Sequence, residues 1–162
     1  MMGAGKSSVG PALAARLGRP FVETDAVVEG FAGRPIAQIF AAEGEQSFRS
    51  WEQAAVGDAL EEGPSPSVVA VGGGAVMNEA NRERIRRRAR HVVWLRARPE
   101  TLAARVGNGA GRPLLKGDPV AALVRLAEER RPIYEAVADV IVDVDDLTVD
   151  GVVDRVMAEL QQ

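Results

Sequence analysis

Gly3-Ala4-Gly5-Lys6-Ser7-Ser8 stands at the head of the chain, and behind it Val9, Leu13 and Leu17 fall at i, i+4 and i+8 before Gly18, the spacing of a helix with a glycine stop. The hexapeptide is the distal half of the pattern G-x-x-x-x-G-K-[ST], and each residue type in it has a physical reason. Glycines let backbone N–H groups turn toward a polyphosphate, and the helix N-terminus adds its positive end. A lysine reaches the β and γ phosphates, and a hydroxyl ligates magnesium. Lys6 and Ser7 occupy those last two places, with Gly3, Ala4, Gly5 and Ser8 around them. A Gly-rich segment ahead of an ordinary helix is the plain alternative.

The first glycine of the pattern belongs five places before Gly5, one place ahead of Met1, and the strand that normally leads into such a loop would lie further ahead still. Five buried apolar residues contribute on the order of 10 kcal/mol, comparable to the whole net stability of a domain. The expectation is therefore a late-start or truncated form of a longer functional protein.

Beyond the loop, short β-branched runs alternate with helical patterns, the order of βα units around a parallel sheet. Phe21 to Thr24, Val68 to Val71, His91 to Leu95 and Asp139 to Val144 are the candidate strands, each nearly continuous in apolar residues, as a strand covered on both faces should be. Pro35, Pro99 and Pro119 each precede or open a helical pattern. Phe48, Trp51, Ala55 and Ala59 form a further helical face, and Val149 to Leu160 forms the last. The stretch Val106 to Asp118, with four Gly, one Pro, Arg112 and Lys116, has the length and make-up of a mobile lid or of a surface loop.

Composition removes several classes of chemistry. The 162 residues suit one domain, and 46% of them are apolar, enough for a core without staples. No Cys and a single His leave no disulfide scaffold, no thiol nucleophile and no Cys-ligated metal. The net charge of −3 gives no global field for nucleic acid or an anionic membrane, and no run approaches the roughly 20 apolar residues of a spanning helix. The basic run Arg82, Arg84, Arg86, Arg87, Arg88 and Arg90 lacks interleaved aromatics and reads as a solvated helix face. Of the 20 cations only Lys6 and Lys116 are lysines.

Candidate residues for a second substrate gather at strand ends, where open α/β sheets bind ligands. Asp25 follows the first strand and can orient or deprotonate a hydroxyl, although Asp there also commonly caps a helix. Gly72, Gly73 and Gly74 follow the second strand and permit close approach of backbone to a ligand. Arg49 and Glu52 are i, i+3 neighbours, so a carboxylate can hold the guanidinium while its remaining donors fork onto an anion; an exposed helix ion pair has the same spacing. Arg130 and Arg131 precede Pro132 and Tyr134 near a helix break.

Together these segments resemble shikimate kinase, over almost the whole chain from Met2 to the final helix. The matching pieces are Gly3 to Ser8, Thr24-Asp25, Ile36 to Phe40, Gly44-Glu45-Gln46 with Phe48-Arg49 and Glu52, Gly72 to Val76, Arg112-Pro113-Leu114-Leu115, and Arg130 with Pro132 and Tyr134. The resemblance implies an α/β fold of the nucleoside monophosphate kinase type: a three-layer, five-stranded parallel sheet whose first, central strand is absent from this chain. It implies a single P-loop kinase domain over 1–162, with a substrate-binding region about 26–61 and a lid about 107–118. The activity it implies is transfer of the γ-phosphoryl group of ATP to the 3-hydroxyl of shikimate, on the way to chorismate and the aromatic amino acids. By the same resemblance Lys6 binds phosphate and Ser7 ligates Mg²⁺. Asp25 serves the acceptor hydroxyl, Arg49 and Arg130 grip the shikimate carboxylate, Gly72 to Gly74 line that pocket, and Arg112 reaches from the lid to the phosphates. Arg105 matches an adenine-side arginine, and Glu23 stands where the family commonly has Asp in the outer magnesium shell. A cytoplasmic monomer with no nucleic-acid or membrane partner is expected. Another small-molecule P-loop kinase, for gluconate or a nucleotide, and an inactive ligand-binding module are the competing readings.

Overall fold

The computed structural model describes residues 1–107, 113–115 and 117–161. Helix α1 (Lys6–Leu17) begins at Gly5, φ 92°, and ends at Gly18, φ 61°; both are left-handed positions that glycine adopts without a Cβ penalty. Then follow β1 (Phe21–Glu23), α2 (Thr24–Ala32), α3 (Ile36–Gly57), β2 (Val68–Ala70), α4 (Glu79–Arg88), β3 (Val93–Arg96), α5 (Pro99–Val106), α6 (Pro119–Val137), β4 (Val140–Asp143) and α7 (Val149–Glu159). Pro99 and Pro119 each occupy the first turn of their helices, as the sequence predicts, and Asp118 and Thr148 cap α6 and α7 with side-chain oxygens.

The protein is α/β, with four short strands among the described residues. They form two parallel pairs, β1 with β2 (Phe21 opposite Val68) and β3 with β4 (Val93 opposite Val140). All four lie within a residue or two of the predicted runs. Coverage on both faces is not what β4 shows. Val142 is buried while Ile141 is 41% exposed, because the alternate face of this edge strand meets solvent, where Asp143 pairs with Arg96.

The main core joins α1, α5, α6 and α7 to β3 and β4 through Leu13, Leu95, Leu102, Leu123, Val142, Val153 and Val156. A smaller cluster of Val28, Ile39, Phe48 and Ala55 ties α2 to α3. Within α3, Gly44 departs from helical geometry (φ 80°, ψ −179°) and joins two helical halves at a kink. The basic face of α4 is less solvated than its composition suggests. Arg82 donates to the carbonyls of Val76 and Met77, Arg88 to those of Leu60 and Glu61, and Arg84 and Arg87 pair with Glu61, so four of these cations fasten α4 to the segments beside it. No helix among the described residues is long and apolar enough to cross a membrane.

Candidate active site

The phosphate loop is built by glycine conformation. Gly3 and Gly5 have φ of 75° and 92°, and a methyl group on Gly3 would come within 2.9 Å of the Leu102 carbonyl oxygen. Ser8 and Val9 donate backbone N–H groups to the Gly5 carbonyl at 3.0 and 2.8 Å, which starts α1 at the loop and aims its positive end there. Lys6 folds back over this loop, its Nζ donating to the Met1 carbonyl at 3.1 Å. The Ser7 hydroxyl donates to Glu23 at the end of β1.

One step further along, Thr24 is fully buried and its Oγ1 accepts the Gly72 N–H at 3.0 Å, joining the ends of β1 and β2. That bond sets Asp25 beside the glycine triplet. A Cβ on Gly72 would lie 2.8 Å from both Asp25 Oδ1 and Glu52 Oε1, so the two carboxylates flank one glycine that leaves room for them. A Cβ on Gly74 would lie 2.9 Å from Arg49 Cζ. Arg49 itself donates to Glu52 Oε2 at 2.8 Å and to Glu45 Oε1 at 2.7 Å, with its guanidinium over the Phe48 ring. On α6, Arg130 is 5% exposed, and one turn later Tyr134 donates its hydroxyl to the Gly73 carbonyl at 2.5 Å.

The charges are coupled across this space. Burial pushes the Asp25 carboxyl above the ordinary aspartate range, with Glu23 and Glu29 adding to the rise and Lys6 and Arg49 opposing it. Glu52 is also raised, first by burial and then by Asp25, even though Arg49 and Arg130 pull the other way. Desolvation therefore outweighs pairing at Glu52, as expected of a carboxylate with 2% exposure. For Arg49 the balance is reversed: burial disfavours its charge, but its bonds to Glu52 and Glu45 win and raise its pKa.

Asp25, Arg49, Gly72, Gly73 and Gly74 thus come together, Arg130 lies close enough for its charge to act on Glu52, and Lys6 is the cation felt most strongly by Asp25. Arg105 lies apart, donating to the carbonyls of Val144 and Asp145 beyond β4 at 2.7 and 3.4 Å. Arg112, expected on the lid, lies outside the described residues, as do 108–111 and 116 of the stretch 107–118. Sequence reasoning singled out neither Thr24 nor the Tyr134 hydroxyl, and it treated Glu52 only as a partner for Arg49. The i, i+4 spacing of Arg130 and Tyr134 was the available signal.

Chemically, the site offers donors for a polyphosphate at one end and, next to it, a buried carboxylate with two guanidinium groups, which suits a small hydroxy acid. Among the described residues no three His, Asp or Glu gather as a metal cage. Ser7 and Glu23 do place two hard oxygen donors side by side at the phosphate loop, which fits magnesium held by one or two protein oxygens together with substrate phosphates.

Known proteins resemble the chain over nearly its whole length. The family model described as Shikimate kinase matches residues 2–161. The shikimate kinase of Symbiobacterium thermophilum is 48% identical over 170 residues, covering 100% of this chain and 93% of its own. That of Thermobifida fusca is 41% identical, covering 98% and 90%. Among solved structures, shikimate kinase from Acinetobacter baumannii in complex with shikimate superposes with a TM-score of 0.91 at 32% identity, over 99% of this chain and 88% of that one. The Aquifex aeolicus shikimate kinase gives 0.84 at 33% identity, over 99% and 92%.

Proposed function

The chain belongs to the shikimate kinase family, and from that premise we propose that it transfers the γ-phosphoryl group of ATP to the 3-hydroxyl of shikimate, giving shikimate 3-phosphate and ADP. The observation that carries this reading is the meeting of Asp25, Arg49 and the Gly72–Gly74 loop beside the Lys6 phosphate loop.

Phosphoryl transfer through a loose transition state needs positioning and neutralisation of charge more than covalent chemistry. Backbone N–H groups of Gly3 to Ser8 and the Lys6 ammonium would receive the β and γ phosphates. Arg49, held by Glu52 and Glu45, and Arg130, held on α6, would clasp the acceptor carboxylate. Asp25, whose raised pKa suits proton transfer nearer neutrality than a free aspartate, would hold or take the proton of the acceptor hydroxyl. Ser7 and Glu23 would hold Mg²⁺, which when bound neutralises phosphate charge. Arg105 is assigned to the nucleotide side and Arg112 to the lid over the phosphates. The enzyme is read as a monomer acting in the cytoplasm, a single kinase domain with its acceptor region about 26–61 and lid about 107–118.

A fifth parallel strand between β2 and β3, as the family has, belongs to the same proposal; it is supported by Met1, which lies against Gly73 beyond the end of β2 and packs in the same core as Leu95 of β3.

The test is ADP release with Mg-ATP. It should depend on shikimate and be absent with gluconate or nucleoside monophosphates; Asp25→Asn should lower turnover by a factor of about 10² or more, and Arg49→Lys should raise the KM for shikimate about tenfold or more. Equal release with gluconate, or full turnover in Asp25→Asn, would refute the assignment.

A further inference from the structure

The Tyr134 hydroxyl makes a contact that a phenylalanine could not: it donates to the Gly73 carbonyl, 61 residues away in the chain. Arg130 stands one helical turn before it on α6. A single hydrogen bond therefore joins the helix that carries Arg130 to the loop whose neighbouring glycine, Gly74, packs on Arg49. The ring is held independently: it is 8% exposed, and Trp94 of β3 lies against it with centroids 5.2 Å apart, inclined at 44°. Packing alone would be served as well by Phe. The hydroxyl must be desolvated to sit there, and what it gains is a fixed relation between Arg130 and the glycine loop. Burial pushes the phenol up, against the opposing effect of Arg130, so it remains a proton donor across neutral pH.

We propose that the Tyr134 hydroxyl is a positioning group for the acceptor. By tying α6 to Gly73 it sets the distance of Arg130 from Gly72, Gly73 and Gly74, and hence from Arg49, before substrate arrives. This rests on the acceptor pocket assigned above.

The acceptor carboxylate keeps its charge throughout phosphoryl transfer, so its grip is equal in ground and transition states and its loss appears in KM rather than kcat. Tyr134→Phe should raise the KM for shikimate about five- to tenfold, the size of one hydrogen bond, with kcat within twofold and the KM for ATP unchanged. Trp94→Phe, which disturbs the same packing but keeps the hydroxyl, should lower Tm and leave the shikimate KM near wild type. A wild-type shikimate KM in Tyr134→Phe, a parallel rise in the ATP KM, or an equal effect of Trp94→Phe would each overturn the proposal. A measurement without any variant stands beside these. In the free protein the Gly73 backbone N–H should show an order parameter near the rigid value of about 0.85, and one below about 0.6 would overturn the proposal even if Tyr134→Phe did not fold. Wild-type protein lacking shikimate-dependent turnover would instead sink the functional reading, so the two failures are distinguishable.

Discussion

Gly74 shows how a single hydrogen in place of a methyl group decides what a site can hold. Its φ of −94° is open to any residue, so Gly74→Ala strains no backbone; the new Cβ simply meets the Arg49 guanidinium. That guanidinium is the far end of a long side chain, so it can swing aside at little cost to folding and considerable cost to binding. Gly74→Ala should melt within a few degrees of wild type while its shikimate KM rises about 10- to 100-fold, the range of a lost hydrogen bond to a charged group. Paired melting curves and initial rates check this, and an equally large loss of Tm would mean that the glycine serves the fold instead. Lys6, Ser7, Asp25, Arg49 and the glycine triplet were legible in the sequence because their types and spacings follow from the chemistry. The pairing of Glu52 with Arg49 was legible too, but its burial was not, since an Arg and a Glu three apart look the same whether the carboxylate is solvated or, as here, 2% exposed.

Among elements, α3 carries the clearest departure from its pattern. Two apolar helical faces are visible on either side of Gly44, but the sequence does not show that they run on through one kinked helix with a glycine at φ 80°, ψ −179°. That region is essentially closed to residues with a Cβ. A methyl group at Gly44 would touch nothing within 4 Å, so Gly44→Ala isolates the backbone term. It should cost about 1–3 kcal/mol, lowering Tm by about 2–10 °C, and it should also weaken shikimate binding because Arg49 and Glu52 lie on the half beyond the kink. Calorimetry with a shikimate titration measures both, and an unchanged Tm would show the kink to be freely adjustable. The strands were found by their β-branched runs, yet the open face of β4 was missed, because nearly continuous apolar runs do not reveal which neighbours cover them.

For the molecule as a whole, the acceptor pocket lowers stability in exchange for chemistry. Asp25 and Glu52 both have raised folded pKa values, first through burial. Below about pH 4 the unfolded chain also keeps these protons, and the two states are balanced. As pH rises the unfolded chain releases them first, so stability is lost until the raised folded values are passed. Asp143 shifts the other way through its bonds to Arg96, but it is exposed and water screens the effect. Asp25→Asn should therefore melt above wild type at pH 7 while losing turnover, with the gain shrinking toward pH 4. A lower Tm for that variant at pH 7 would show that Asp25 is held by contacts worth more than its desolvation.

The stacking of Trp94 on Tyr134 has a practical side. The chain has two tryptophans, and the other, Trp51, packs into the cluster that ties α2 to α3. Silencing Trp51 therefore leaves the indole against Tyr134 as a single optical channel in unlabelled protein.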